Sequence, residues 1–282
     1  MTTIRASIRS HPTLTYFALA FAVSWGGVLI VVGPGGIPGT PEQTERLFPF
    51  AFLAMLAGPS AAGILLTGLV HGTAGFRELS SRLLRWRAGA RWYAVALLTA
   101  PLLATAVLLA LSLSSPTFLP GIFVSDDKAS LLQLGIVVGL GAGFFEELGW
   151  TGFAVPRLRL RHAVLATGLI VGAPWGAWHF LVNVWASSTS SGGLSLAVYL
   201  PLVLLSLLVG VLPAYRVLMV WVYDRTGSLL VAMLMHASLT ASSLILRPLA
   251  TGARLWAYDL VLAAALWVVV AAVTVGRNRG TR

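Results

Sequence analysis

The sequence predicts an all-α, polytopic membrane protein of about eight transmembrane helices. Three observations lead there. Hydrophobic residues make up 57% of the 282 residues, charged residues only 10%, and the mean hydropathy is +0.87. A soluble domain carries about 25% charge, so this chain could not cover a water-facing surface. Many of its apolar runs approach or reach the roughly 20 residues that span hydrocarbon. The runs are continuous rather than alternating, which favours helices over barrel strands.

Taken in order, the predicted spans are about 13–32, 48–70, 92–114, 130–154, 165–187, 197–215, 228–247 and 256–275, within one membrane domain covering 1–282. The first run lacks a small-residue cleavage site and is long enough to remain as an anchor. The loops support the count. Arg5 and Arg9 precede span one, and Arg77, Arg82, Arg85, Arg87 and Arg91 separate spans two and three. Arg157, Arg159 and Arg161 follow span four, Arg216 and Arg225 follow span six, and Arg277, Arg279 and Arg282 follow span eight. The other side holds only Arg46, Lys128, Arg247 and Arg254, with Glu42, Glu45, Asp126 and Asp127 among them. Fifteen basic residues against four place both termini in the cytoplasm.

The net charge of +10 is therefore topological, and the partner it implies is the lipid bilayer, with no nucleic acid. The predominance of Arg, with abundant Ala and Gly, points to a bacterial cytoplasmic membrane. The absence of cysteine rules out disulfides and thiol catalysis. The segment from Phe76 to Tyr93 is either an interfacial helix or a basic loop with snorkelling arginines. Ser187 to Gly193 is expected to be a flexible outer loop. Gly139, Gly141 and Gly143 would let another helix approach span four closely.

Ionisable residues inside spans are costly and mark functional sites. His11, His71 and His162 lie in or near loops, and Asp259 sits near an end of span eight. The deep set is Glu146 and Glu147 on span four, His179 on span five and His236 on span seven. Neighbouring residues on a helix diverge by about 100°, so the two glutamates cannot share one pose. Trp175, His179 and Asn183 form one stripe; His236, Thr240 and Ser243 form another. Glu146 is 11 residues from Arg157, about 16 Å, and His236 lies at a matching depth of about 12 Å. His179, 18 residues past Arg161, would lie about 27 Å deep. It reaches the others only if the chain from Arg157 to Thr167 lies along the surface and span five enters near Gly168. Two carboxyls and two imidazoles in a low-dielectric cavity suit water activation and oxyanion stabilisation. Glu146, His179 and His236 could equally hold a divalent metal such as zinc. A buried polar network that only joins helices is the third reading of the same residues.

The stretches FFEELGWTGFAVPRL (Phe144 to Leu158), PWGAWHF (Pro174 to Phe180) and LMHASLT (Leu234 to Thr240) resemble the CAAX protease and bacteriocin-processing (CPBP/Abi) family of intramembrane endopeptidases. The motif-bearing core is about 130–250. The resemblance implies a CPBP/Abi-like helical bundle that cleaves membrane-associated proteins or peptides, of CAAX or bacteriocin type. It implies that Glu146 activates water beside His179, that His236 stabilises the oxyanion, and that Glu147 supports the site. The family is often classed as metalloproteases; a metal-independent glutamate mechanism is favoured, with no cofactor. Three positions depart from the family pattern: Thr151 replaces Arg, Trp175 replaces Phe and Thr240 replaces Asn. Trp175 keeps an aromatic wall, Asn183 is a candidate substitute for the missing Asn, and Thr151 leaves Glu147 without its arginine, as a neutral structural carboxyl. These departures keep open a non-catalytic immunity or scaffold protein on the same fold. A proton-coupled transporter ranks last, because no internal repeat is evident.

Overall fold

A computed structural model describes residues 8–33 and 35–279, and no strand occurs among them. Its principal helices are α1 (Pro12–Val32), α2 (Pro41–Leu83), α3 (Ala90–Ser112), a one-turn α4 (Gly121–Val124), and α5 (Lys128–Glu147), which continues through a π-type turn into α6 (Val155–Arg159). Then come α7 (Val164–Trp178), α8 (Phe180–Trp185), the single turn α9 (Ser187–Ser190), α10 (Leu196–Val209), α11 (Val211–Thr226), α12 (Leu229–Ile245) and α13 (Gly252–Arg279). Seven helical stretches are long and apolar enough to cross a membrane, and α12 is a shorter apolar helix of 17 residues. The protein is thus a polytopic helical membrane protein whose eight apolar stretches follow the predicted order. Leu14, Ile30, Leu53, Leu102 and Val268 are exposed on its outside, as hydrocarbon rather than water requires.

Local chemistry sets the helix ends. Proline begins both α1 and α2, where its missing N–H is not needed. Thr40 and Gln43 form a reciprocal capping box on α2, and Asp127 accepts the Ser130 amide to start α5. Gly227 ends α11 in the left-handed conformation (φ 59°). Gly72, also at φ 59°, breaks α2, so the stretch up to Leu83 is a separately directed helical segment rather than a loop. Leu79 on it is buried against Leu229 and Met233.

Hydrogen bonds gather the loops at two ends of the bundle. At the basic end, Arg82 donates to the Gly152 carbonyl and to Tyr223, Arg159 pairs with Asp224, and Ser228 donates to the Arg85 carbonyl. At the opposite end, the Gly39 amide donates to the Trp185 carbonyl, Ser188 donates to the Gly39 carbonyl, and the Gly121 amide to that of Leu246. Of the charges assigned to the basic end, Arg5 and Arg282 lie outside the described residues, as do the side chains of Arg277 and Arg279.

Four expectations are corrected. Span six does not end at residue 215: α10 breaks at Gly210 and α11 runs on to Thr226. Arg216 is consequently not a loop residue but is fully buried within α11. The surface segment expected from Arg157 to Thr167 shrinks to the exposed residues 160–163; α7 begins at Val164, with Thr167 and Gly168 already buried. The 187–193 stretch includes a helical turn, fixed by the Ser188 bond and by Ser190 against Tyr199 at 2.7 Å.

Glycines let α5 and α12 approach closely. A Cβ at Gly139 would stand 2.6 Å from the Ala237 carbonyl oxygen, and one at Gly143 would meet the backbone of Met233. Gly135, four residues earlier, shares this face and meets Ile245. Gly141 does not, because two residues turn a helix by about 200°; nothing lies within 4 Å of its Cβ position. We expect Gly139→Leu to lower the unfolding temperature in detergent sharply, overpacking costing typically about 1–3 kcal/mol, while Gly141→Leu leaves it unchanged. Equal effects would show that close approach does not limit this packing.

Candidate active site

The site is assembled from α5, the π-type turn, α7, α11 and α12. Glu146 and Glu147 end α5, where the chain widens into the turn Trp150–Ala154, whose Ala154 amide reaches back to the Gly149 carbonyl at 3.1 Å. Such turns recur at functional sites. Both carboxyls are buried, and they do diverge.

Glu146 points toward α7. Its Oε2 accepts the Trp175 indole N–H at 2.7 Å, and its Oε1 faces His236 Nε2 at 3.8 Å. Glu147 points the other way. Its Oε1 meets His236 Nδ1 at 2.7 Å, and its Oε2 accepts from Arg216 Nη1 at 2.8 Å and from the Thr151 hydroxyl. Arg216 also lies over the Trp175 ring, 4.0 Å from its centroid. The ring of Trp175 meets His236 edge-on at 5.1 Å. One side chain therefore touches Glu146, His236 and Arg216 together.

Arg216 changes the reading of Glu147. The expected loss of an arginine partner at Thr151 is made good from another helix. Glu147 is an ion-paired carboxylate held by Arg216, with Thr151 as a second donor, and not an unpartnered neutral group. The signal was present in the sequence: Val217 to Tyr223 continue the apolar run past Arg216, so the arginine was intramembrane rather than a loop marker.

His179 lies at the break between α7 and α8. Its Nδ1 is 2.9 Å from the Trp175 carbonyl oxygen. A carbonyl only accepts, so Nδ1 carries the proton and Nε2 keeps its lone pair. Glu146 and His179 line one cavity of about 370 Å³, with Phe48, Phe52, Trp178 and Trp185 among its walls. His236 stands behind Glu146. The depth mismatch is resolved without a long surface segment: Trp175, one turn before His179, is the residue that meets Glu146.

Asn183 also lines the cavity, but its amide donates to the His179 carbonyl at 2.9 Å, which bridges the helix break. Thr240 is half-buried one turn beyond His236, and its carbonyl accepts from Ser243; among the described residues it bonds neither the glutamates nor the histidines. Among the described residues, no three His, Cys, Asp or Glu side chains gather as metal ligands. His236 Nδ1 is held by Glu147 and His179 Nδ1 by a backbone carbonyl, which leaves the Nε2 atom of each ring as the one able to meet a ligand.

Trp175→Phe keeps the ring beside Arg216 and His236 but removes the N–H that orients Glu146. Hydrogen bonds to charged groups contribute about 1.5–3 kcal/mol. We therefore expect turnover of a cleaved peptide to fall roughly tenfold or more with KM little changed, measured by steady-state kinetics in nanodiscs. An unchanged rate would show that the indole does not orient the carboxylate.

Residues 128–242 match the family model described as type II CAAX prenyl endopeptidase Rce1-like. The CAAX prenyl protease 2 of Methanococcus maripaludis is 35% identical over 69 residues, which are 24% of this chain and 24% of that protein. The matched stretch of this chain thus spans about a quarter of that relative's length. The 128–242 match contains every residue of the hydrogen-bonded cluster described above.

Proposed function

We propose that the chain, whose residues 128–242 match the type II CAAX prenyl endopeptidase model, is an intramembrane endopeptidase in which Glu146 activates water against a peptide bond. The observation that carries this reading is the shared cavity. Glu146 and His179 line the same space, and the Nδ1 contact of His179 with the Trp175 carbonyl leaves its Nε2 as the free ring nitrogen. Water held between them loses a proton to Glu146 as its oxygen adds to the peptide carbonyl carbon. The negative charge then resides on the carbonyl oxygen. By the family resemblance the role of stabilising it falls to His236, which Glu147 orients through Nδ1 and whose Nε2 faces Glu146. Glu146 returns the proton to the amide nitrogen, the C–N bond breaks, and water has been divided between a new carboxyl and a new amine. Glu147, Arg216 and Thr151 touch no reacting atom; they orient His236. The apolar walls suit a hydrophobic peptide segment.

The test is cleavage of a membrane-anchored peptide library by the purified protein in nanodiscs, with wild type compared with His179→Ala, each with and without a chelator. Cleavage by the wild type, lost in His179→Ala and indifferent to the chelator, is the expected result. Chelator sensitivity that zinc reverses would replace the glutamate-only mechanism with a metal one. No cleavage of any library member would favour a non-catalytic protein on the same fold.

A further inference from the structure

We propose that the catalytic cavity is entered from the non-cytoplasmic side of the membrane, so its substrates are outward-facing apolar segments of exported peptides or membrane proteins. The inference rests on reading the cavity as a protease active site, and it adds where the substrate must come from. The cavity leads from Glu146 toward one end of the bundle. Phe48 and Phe52 lie in the first turns of α2, Trp185 and Ser190 at the end of α8 and in α9, and Arg247 just past α12. All of these belong to the end where the loops around Gly39, Trp185 and Leu246 are joined by hydrogen bonds.

The other direction is filled. Trp150 and Phe153 follow the glutamates toward the basic end, and Tyr16 of α1 packs on both, 5.3 Å from the Trp150 ring and 5.5 Å from that of Phe153. All three are completely buried. A cavity does open at the basic end, between α2 and the π-type turn, but none of the catalytic candidates lines it.

Charge then gives each end its side. Among residues with described side chains, the basic end carries ten arginines against Glu78 and Asp224. The cavity end carries four basic residues against five acidic ones, Asp259 beside Arg247 among them. Arg216, buried in the site, belongs to neither end, and removing it leaves the bias intact. Lys and Arg excess marks the cytoplasmic side, so the basic end is cytoplasmic and the cavity mouth faces outward. A soluble cytoplasmic substrate would have to cross the filled half of the bundle.

The chain contains no cysteine, so single cysteines report on topology directly. Thr189 at the mouth and Ser81 at the basic end are exposed and touch none of the catalytic candidates. In intact cells, a membrane-impermeant maleimide is expected to label Thr189→Cys, and to label Ser81→Cys only after permeabilisation. The reverse pattern overturns the inference. In a second arm, a cleaved library peptide is tethered to a single-pass anchor with its scissile segment either outside or inside. Cutting at least tenfold faster in the outward arrangement is expected. Preferential cutting of the inward one refutes the sidedness while leaving the protease reading intact. If neither is cut, the protease reading fails and the labelling alone decides the sidedness.

Discussion

Glu146→Gln is expected to lower kcat/KM for peptide cleavage by about a thousandfold or more, with the fold unchanged. The amide oxygen of glutamine can still accept the Trp175 indole proton, so the 2.7 Å contact that fixes the side chain survives. What is lost is the ability to take a proton from water and return it to the leaving nitrogen. General base catalysis contributes about 10²–10⁴-fold, and a single group that serves both half-steps sits at the upper part of that range. The measurement is single-turnover cleavage in nanodiscs beside thermal unfolding. More than a tenth of wild-type activity in a folded variant would remove Glu146 from the reaction and leave His179 as the base.

Arg216→Ala is expected to have the largest effect on the fold itself. It leaves Glu147 buried opposite no cation, and removing one partner of a buried pair costs about 3–5 kcal/mol. It also removes the guanidinium from the face of Trp175. Low folded yield and a marked drop in unfolding temperature should follow. Two double variants separate charge from shape. Arg216→Met with Glu147→Gln makes the pair neutral; stability should recover, because no buried charge is left unpaired, while cleavage stays impaired because His236 has lost its carboxylate. Arg216→Met with Thr151→Arg returns the guanidinium from the position the family pattern uses, and both stability and cleavage should return. Arg216→Lys should be intermediate, since one ammonium cannot reproduce the planar fork. Wild-type stability in Arg216→Ala would show that the ion pair does not hold the site.

Much of this arrangement was legible in the sequence because its signals are local. Continuous apolar runs set the number and order of the helices, and the divergence of Glu146 and Glu147 follows from helical geometry. The pairing of His236 with the glutamates was expected from matching depth. The errors arose where one residue served two readings. Arginine normally ends a span, which gives Arg216 the look of a loop marker, yet the apolar run through Tyr223 carries on past it. A long surface segment before α7 would bring His179 level with Glu146, but the indole of Trp175 bridges the difference. Gly141 stands beside Gly139 and Gly143 in the sequence, whereas the contact face repeats every four residues. Which way the cavity opens had no local signature, since its walls come from four separated stretches of chain.

The pairing of Glu147 with an arginine from α11 bears on how relatives are sought. A linear pattern that demands a basic residue four places after the second glutamate discards this chain, although the guanidinium still reaches the same carboxylate. A survey that scores a cation anywhere within reach of that carboxylate would retain it. Such a survey would also ask of other chains lacking the motif arginine whether their sixth apolar stretch hides one. Covariation between positions 151 and 216 across the family would then record the charge changing helices while its task stays fixed.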